Sequence, residues 1–474
     1  MITKKRKIFI VTVASIVLTL GCLSNIGFAK TQSEQWTQWL NKWDFKGLTL
    51  RLSTHAGPTS KAYMTLLPEF EKATGAKVII IEEPWVDLLA KHMVEFSAHS
   101  GTFDVLTWPY IWAGYYVEGE MVENLNAPRE FFNDPDSADP TYDTEDFAAA
   151  TLEVYGRYRV GKWAQTDALW AVPFKFDIYL AIYRKDLFKE AGIIDKKGEA
   201  KPPATYDELI QNAKILHQKF PDIIPVVLPL AVDDPICSTW TPLLHSYGGT
   251  WFDENQYPVF HKQPGVKATK ILVELLPHMP LDAAGLDFDK AITPLQQGLA
   301  AYGENWNAYL PTLLDPSVSK AKVVETIGFA LTPAGPAGRT QGLGGWVAGI
   351  STDSRHKKAG FVLLQYLTGR QKGVEFALAG GSTPRFSVAK NPRVVEKYPF
   401  YPLLIEALED AAPRGYDRSW TEVQRIIGTA LSEVLLGADA EIKLAEAAKE
   451  VYKAVVRVGY HPEKTGPFPE IPKK

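Results

Sequence analysis

The chain has 474 residues, of which 46% are hydrophobic, 22% are charged and 12% are aromatic, and its formal net charge is −4. This length predicts two or more domains, each large enough to bury a core. An acidic chain without a basic stripe argues against nucleic-acid binding, so we expect no nucleic-acid partner.

The first 29 residues have the pattern of a secretory signal peptide. A basic region at residues 4–7 precedes an apolar run at residues 8–21, which is too short to span a bilayer. Small residues up to Ala29 favour cleavage after that residue. The alternative is a lipoprotein anchor at Cys22, whose preceding residues fit that pattern less well. We therefore predict an exported, periplasmic protein.

Along the rest of the chain, apolar runs of strand length alternate with helical segments. Residues 48–53, 77–82 and 104–107 are predicted strands with helices between them. This alternation predicts βαβ units, and hence mainly parallel sheets that are flanked by helices.

Large aromatic rings follow the third predicted strand directly, at Trp108, Tyr110 and Trp112. In an open α/β sheet, ligands bind outside the carboxyl ends of the strands. Because Tyr and Trp keep a polar tip that needs water or a partner, packing alone accounts poorly for all three rings. His55, in the loop after the first strand, is a further ligand candidate.

The stretch 172–182 alternates strictly between apolar and other residues. A period of two over eleven residues predicts a long strand with one face on a core and the other partly open. The second face carries Lys175, Asp177 and Tyr179, an unusual set for a purely structural strand. We interpret this strand as the first crossing between two lobes, with Asp177 and Tyr179 lining the cleft between them.

Two later stretches place further rings at strand ends or crossings. Residues 300–306 predict a short strand that ends in Asn305 and Trp306, and the glycine-rich strand 343–350 contains Trp346. Glycines in a strand let a backbone or a ligand come close. We interpret the second stretch as the crossing back into the first lobe.

A third crossing is expected near residues 368–369, and the turn that follows presents Arg385. The three crossings divide the chain into a signal peptide and two α/β lobes. The predicted boundaries are residues 1–29 for the signal peptide, 46–175 plus 333–367 for lobe I, and 176–332 plus 368–474 for lobe II.

Catalytic signatures are missing from the sequence. There is no H-E-x-x-H, G-x-S-x-G or P-loop pattern, and the nine histidines show no metal spacing. We therefore expect a protein that is not an enzyme and that needs neither a cofactor nor a metal. The candidate residues combine flat rings with charged or amide groups, which suit the C–H faces and the hydroxyl edges of a sugar or polyol.

Several segments resemble the periplasmic solute-binding proteins of ABC importers, in the group that includes maltose-, trehalose- and sorbitol/mannitol-binding proteins. They are PEFEKATGAKV at 68–78, FDV at 103–105, AVPF at 171–174, YRKDLF at 183–188, AAYG at 300–303 with Trp306, GGW at 344–346 and PR at 384–385. The resemblance implies a two-lobed fold with three crossings that closes on a ligand. It also implies a permease partner, and we expect a monomer.

The same resemblance implies roles for single residues. Asp177 lies where maltose-binding relatives carry a ligand-binding Glu, Trp306 and Trp346 resemble sugar-stacking tryptophans, and Arg385 resembles a hydroxyl-binding residue. The chain departs from the maltose-type pattern at residues 111–112, where it has Ile-Trp instead of Asp-Arg. This departure argues against maltose itself.

Two alternatives to a sugar- or polyol-binding protein stay open. A secreted glycoside hydrolase needs two carboxylates about 5 to 9.5 Å apart across the sugar, and only Asp177 stands out. A binding protein for a peptide, a polyamine or a sugar phosphate would need several acids or clustered cations in the cleft. The sequence shows neither set.

Overall fold

The computed structural model describes residues 32–459 except residues 164 and 416. The predicted signal peptide, its cleavage site and Cys22 lie outside this range. Among the described residues, none of the helices combines the length and the apolar character that crossing a membrane requires.

Nine strands and twenty α-helices, with short 3-10 and π turns between them, form the described part of the chain. The strands are β1 (Thr49–His55), β2 (Lys77–Glu83), β3 (Val105–Pro109), β4 (Val172–Arg184), β5 (Ile224–Val227), β6 (Ala300–Trp306), β7 (Ile327–Ala330), β8 (Gln341–Ile350) and β9 (Ala411–Ala412). The helices in the first half are α1 (32–41), α2 (Pro58–Met64), α3 (Leu67–Thr74), α4 (Trp85–Ser97), α5 (Ala113–Glu118), α6 (Ala149–Thr151), α7 (Lys185–Glu190), α8 (Tyr206–Lys219) and α9 (Asp234–Ser246). Those in the second half are α10 (Gln263–Leu275), α11 (Phe288–Gln296), α12 (Leu310–Leu313), α13 (Ala321–Thr326), α14 (Lys357–Thr368), α15 (Arg370–Leu378), α16 (Phe386–Ala389), α17 (Pro392–Lys397), α18 (Tyr401–Glu409), α19 (Trp420–Leu435) and α20 (Ala440–Arg457).

Local sequence signals explain where several elements begin and end. The Thr205 side chain accepts a hydrogen bond from the Glu208 backbone N–H at 3.2 Å and caps the start of α8. Helix α3 ends at Gly75, whose φ of 75° lies in the left-handed region. A β-carbon on Gly75 would lie 2.7 Å from Cγ of Lys46, so glycine is needed there for space as well.

The strand order is β2-β1-β3-β8-β4-β6-β5, with β7 paired to β4 and β9 paired to β8. Strand β1 pairs in parallel with β2 and β3, and β5 pairs in parallel with β6. The central strands β4 and β8 pair antiparallel with each other and with their other main neighbours. The expectation of mainly parallel sheets is therefore correct for β2-β1-β3 and for β5-β6, but not for the central strands β4 and β8, which run in opposite directions.

Both central strands pass from one hydrophobic core to a second. On β4, Val172 and Phe174 belong to the core around β1, whereas Phe176 and the apolar residues after it belong to the core around β5. On β8 the direction is reversed, since Leu343 lies in the second core and Ile350 in the first. These are the two strands in which the first and second crossings are predicted, and all three crossings between lobes stay predictions, as do the lobe boundaries.

Burial along β4 differs from what the alternating pattern predicts. All of its residues are buried except Lys175, which is partly exposed. The second face is therefore not broadly open, because β4 lies at the centre of the sheet and is covered on both sides. Polar groups on that face are held inside the protein.

Candidate functional site

Six residues share one face of the sheet where β4 crosses between the cores. The strand register pairs each β4 residue of the set with a neighbour on β8 or β6, and partners in a cross-strand pair point to the same face. We call this set the crossing face, and its pairs are Lys175 with Trp346, Asp177 with Gly344, and Tyr179 with Trp306. The two tryptophans thus lie on either side of a pair of charged residues.

The two charged residues at the centre of the crossing face, Lys175 and Asp177, form an ion pair. Nζ of Lys175 lies 3.0 Å from Oδ2 of Asp177. Within the described part of the chain, Oδ1 of Asp177 is buried without a hydrogen-bond partner. Burial raises the pKa of Asp177, and the charge of Lys175 opposes that rise. Since a buried acceptor without a partner is costly, this oxygen is suited to a hydroxyl group from a ligand.

Trp306 takes the space that a side chain at position 344 would fill. A β-carbon on Gly344 would lie 2.8 Å from Cζ3 of Trp306 and 3.1 Å from Cβ of Asp177. The Tyr179 ring meets the Trp306 ring edge to face, with centroids 4.8 Å apart. The Tyr179 hydroxyl is 2.8 Å from Oγ1 of Thr239. Tyr179 therefore supports Trp306 from inside the core.

Trp346 belongs to an aromatic cluster at the carboxyl ends of β1 and β3. The His55 ring stacks on it with centroids 5.5 Å apart, and Trp85 meets it edge to face at 5.7 Å. Trp85 also contacts Trp112, at 4.7 Å. Burial, and then the charge of Lys175, lowers the pKa of His55 to about 4, so its imidazole is neutral at pH 7. The structure thus brings two more of the predicted residues, His55 and Trp112, to this site.

A cavity of about 40 Å³ lies in front of Trp346. Its walls include His55 and Lys175 on one side and Tyr309, which follows β6, on the other. Burial and the negative charges of Asp289 and Asp177 raise the pKa of Tyr309. This cavity is far smaller than the roughly 300–1,000 Å³ of a typical ligand pocket. A larger solute can enter only if the two walls move apart.

Arg414 is a site residue that sequence reasoning missed. Its guanidinium carbon lies 5.3 Å from the centroid of Trp306, and Nη1 is paired with Asp234 and donates to Oγ of Ser238 at 2.8 Å. Its Nε is buried without a partner among the described residues. It also lines a separate concavity of about 480 Å³ that includes none of the crossing face. No sequence signal connects Arg414 with Trp306, because its loop is more than a hundred residues further along the chain.

Trp108 and Tyr110 are packed into the protein interior. The Trp108 ring stacks on Tyr116 with centroids 4.3 Å apart. The Tyr110 hydroxyl donates to the Leu343 carbonyl oxygen at 3.1 Å and accepts from the Arg414 backbone N–H at 2.8 Å. Tyr110 thus connects the segment after β3 to β8 and to Arg414. Among the described residues, the ring contacts and hydrogen bonds of Trp108 and Tyr110 include no side chain of the crossing face.

Asn305 points away from Trp306, because consecutive residues of a strand face opposite sides. Its Nδ2 donates to the Phe288 carbonyl oxygen at 3.0 Å, and its Oδ1 accepts from the Trp306 backbone N–H at 2.8 Å. Both ends of the amide are therefore used within the protein. These contacts favour a structural role over the predicted ligand role.

Arg385 is fully buried and is not brought to the crossing face. Its guanidinium donates to the carbonyl oxygens of Thr368, Asp143 and Tyr142 at 2.9, 2.9 and 3.1 Å. Nη1 also lies 3.4 Å from a carboxylate oxygen of Asp146. With nearly all its donors used, Arg385 holds the 142–147 segment against the end of α14, and these contacts do not favour the predicted contact with a ligand.

The fold and the crossing face define a two-lobed α/β protein whose candidate site lies where its central strands pass from one core to the other. The family model described as bacterial extracellular solute-binding protein matches residues 56–373. The chain belongs to this family. Membership confirms the resemblance stated from the sequence and the prediction of a binding protein rather than an enzyme.

Solved structures and curated relatives agree with this assignment. A solute-binding protein of an ABC transporter from Agrobacterium radiobacter K84, in complex with ribitol, is 26% identical, covers 86% of this chain and 99% of its own, and superposes with a TM-score of 0.75. Maltose-bound MalE3 of T. maritima is 25% identical. The match covers 85% of this chain and 99% of MalE3, with a TM-score of 0.74. A probable amino-acid ABC transporter periplasmic-binding protein of Sinorhizobium fredii is 26% identical over 77% of this chain and 79% of its own. The predicted two-lobed α/β fold is confirmed by these structures.

Proposed function

We propose that this protein captures a sugar, oligosaccharide or polyol between its lobes and delivers it to the permease of an ABC importer. The observation that carries the proposal is the carboxylate oxygen of Asp177 that has no partner among the described residues and lies between Trp306 and Trp346 on the crossing face. A hydroxylated solute offers C–H groups to the rings and a hydroxyl donor to that oxygen. The two similar structures that hold ribitol and maltose support the same ligand class.

Capture requires that the ligand stabilise the closed arrangement of the lobes. To move a population from 99:1 open to 99:1 closed takes about 5.5 kcal/mol of differential binding. Two stacked rings contribute about 1 kcal/mol each. Hydrogen bonds to charged groups, at about 1.5–3 kcal/mol each, supply the rest. Lys175 and Arg414 lie 6.0 and 5.3 Å from the ring centroids of Trp346 and Trp306, and Asp177 is paired with Lys175, so these charged groups are placed to do so.

The remaining parts of the proposal concern the setting in which the protein works. It is exported with a signal peptide that is removed after Ala29, acts in the periplasm as a monomer, and meets its permease with the ligand enclosed. Residues 46–175 with 333–367 form one lobe and residues 176–332 with 368–474 form the other. The family's extracellular character supports the export step.

A thermal-shift screen of sugars, polyols and amino acids tests the ligand class. A ligand at 100 times its dissociation constant adds about 2.7 kcal/mol to the free energy of unfolding, which is readily measured. We expect a shift with a polyol or sugar and none with amino acids. An amino acid would need Lys175 and Asp177 to separate and bind its two charges. Stabilisation by amino acids alone, or hydrolysis of a glycoside, would overturn the proposal.

A further inference from the structure

Two histidines that are 61 positions apart in the chain meet on the surface at the ends of two helices. His217 lies in the last turn of α8, and His278 ends the 3-10 turn (Leu276–His278) that continues α10. Their Nδ1 atoms are 3.1 Å apart, with ring centroids 5.3 Å apart and ring planes at 80°. The sequence gives no sign of this pair, since the spacing matches no metal motif.

The distance between the Nδ1 atoms of His217 and His278 matches the distance between two nitrogen ligands bound to the same transition-metal ion. Zinc binds imidazole nitrogen at about 2.0–2.1 Å, so two such nitrogens at angles between 90° and 109° are roughly 2.9 to 3.4 Å apart. The observed 3.1 Å lies inside this interval. A shared proton between the rings gives a similar distance, and the metal would take the place of that proton.

We propose that His217 and His278 form a surface site for a divalent transition-metal ion of the Cu²⁺, Ni²⁺ and Zn²⁺ class. Imidazole is a preferred ligand for these ions, and the affinity for Cu²⁺ is the highest of the three. Among the residues that the structure describes, no other His, Cys, Asp or Glu joins the pair in a metal-binding group. The other coordination positions are therefore open to water or to a group from another molecule, and bound metal exchanges readily.

The residues around the two histidines determine how tightly a metal ion binds and whether its binding affects the solute site. Lys214 lies one turn before His217 and is close enough to act electrostatically on His278, so it disfavours a bound cation. Neither histidine contacts the crossing face. Metal binding is thus expected to be of modest affinity and to leave binding of the transported solute unchanged.

Calorimetry with Ni²⁺ on the mature protein without an affinity tag tests the site. We expect one equivalent to bind at pH 7.5, with affinity reduced about tenfold or more in His217→Gln and in His278→Gln because each loses one of two ligands. Removal of the neighbouring charge in Lys214→Ala should strengthen binding. The matched control is His99→Gln, at a highly exposed histidine elsewhere, which should bind as the wild type does.

A spectroscopic measurement distinguishes the pair from scattered surface binding. With one equivalent of Cu²⁺, electron paramagnetic resonance should show coordination by two imidazole nitrogens in the wild type, and this signal should be lost in the double variant His217→Gln/His278→Gln. The proposal is overturned if the double variant binds Ni²⁺ as the wild type does, or if the wild type binds no Ni²⁺ at all.

Discussion

Gly344 and Trp306 are so close that the indole depends on the absence of a side chain at position 344. A β-carbon there would lie 2.8 Å from Cζ3 of Trp306, closer than packed carbon atoms approach. It would also press on Asp177, its cross-strand partner, at 3.1 Å. The glycine therefore lets the ring and the carboxylate occupy the same small region.

We expect Gly344→Ala to weaken binding of the solute found in the thermal-shift screen by about tenfold or more, a loss of at least about 1.4 kcal/mol. The added methyl group displaces Trp306 from its position beside Asp177. Isothermal calorimetry measures the affinity and urea unfolding measures the stability. Gly360→Ala is the matched control, because its β-carbon would meet nothing closer than 3.5 Å and it lies in a helix. Equal affinities in the two variants would contradict the role given to the ring.

Asp177→Asn tests the unpartnered carboxylate oxygen directly. The amide has nearly the same shape but no charge, so we expect the solute to bind about tenfold more weakly or worse, as the loss of one charge-assisted hydrogen bond predicts. Because burial raises the pKa of Asp177, binding by the wild type should also weaken as the pH falls and the carboxylate takes up a proton. The variant should lack this pH dependence, which calorimetry at several pH values measures. An affinity that is unchanged at neutral pH would remove Asp177 from the site.

The sequence predicts the site best where one strand carries the signal. Strict alternation in residues 172–182 correctly places Lys175, Asp177 and Tyr179 on one face of a crossing strand, because a period of two requires it. It does not reveal that this face is buried, which depends on neighbours on both sides of β4. The sequence alone could not show that Asn305 and Trp306 have different roles, because they face opposite sides of the sheet only if β6 extends through both residues.

Long-range contacts account for what the sequence leaves out. Arg385 meets Tyr142 and Asp143 across more than 240 positions of the chain, and a local turn pattern carries no information about such partners. Arg414 reaches Trp306 from a loop with no distinctive motif. In both cases the position of a cation is decided by tertiary packing, and the residue type alone does not tell a ligand contact from a structural one.

We expect Glu304 to make the stability of the protein depend on pH near neutrality. It lies on β6 and accepts a hydrogen bond from the Tyr302 hydroxyl at 2.7 Å. Burial raises its pKa from 4.5 to about 7, against the opposing effect of that hydrogen bond. Between these values the folded protein holds the proton more tightly than the unfolded chain, so the free energy of unfolding falls as the pH rises.

Urea unfolding at pH 5 and pH 8 measures this dependence. The contribution of Glu304 is fully present below pH 4.5 and lost above about pH 7, and the whole shift corresponds to about 3 kcal/mol. Glu304→Gln should remove that part of the pH dependence, whereas Glu409→Gln at an exposed position should keep it. Parallel pH profiles for the wild type and Glu304→Gln would show that the carboxyl group is not held protonated.

Arg385→Lys separates the structural role of this residue from the predicted ligand role. A lysine ammonium cannot reproduce the planar set of bonds to three carbonyl oxygens, so buried acceptors lose their donors. We expect the free energy of unfolding to fall by about 3 kcal/mol, the worth of one or two hydrogen bonds to a charged group. The affinity of the folded fraction for its solute should stay within about twofold, because the bonds of Arg385 go to Thr368 and to the 142–147 segment and not to the crossing face. Weaker binding with unchanged stability would instead restore Arg385 to the binding site.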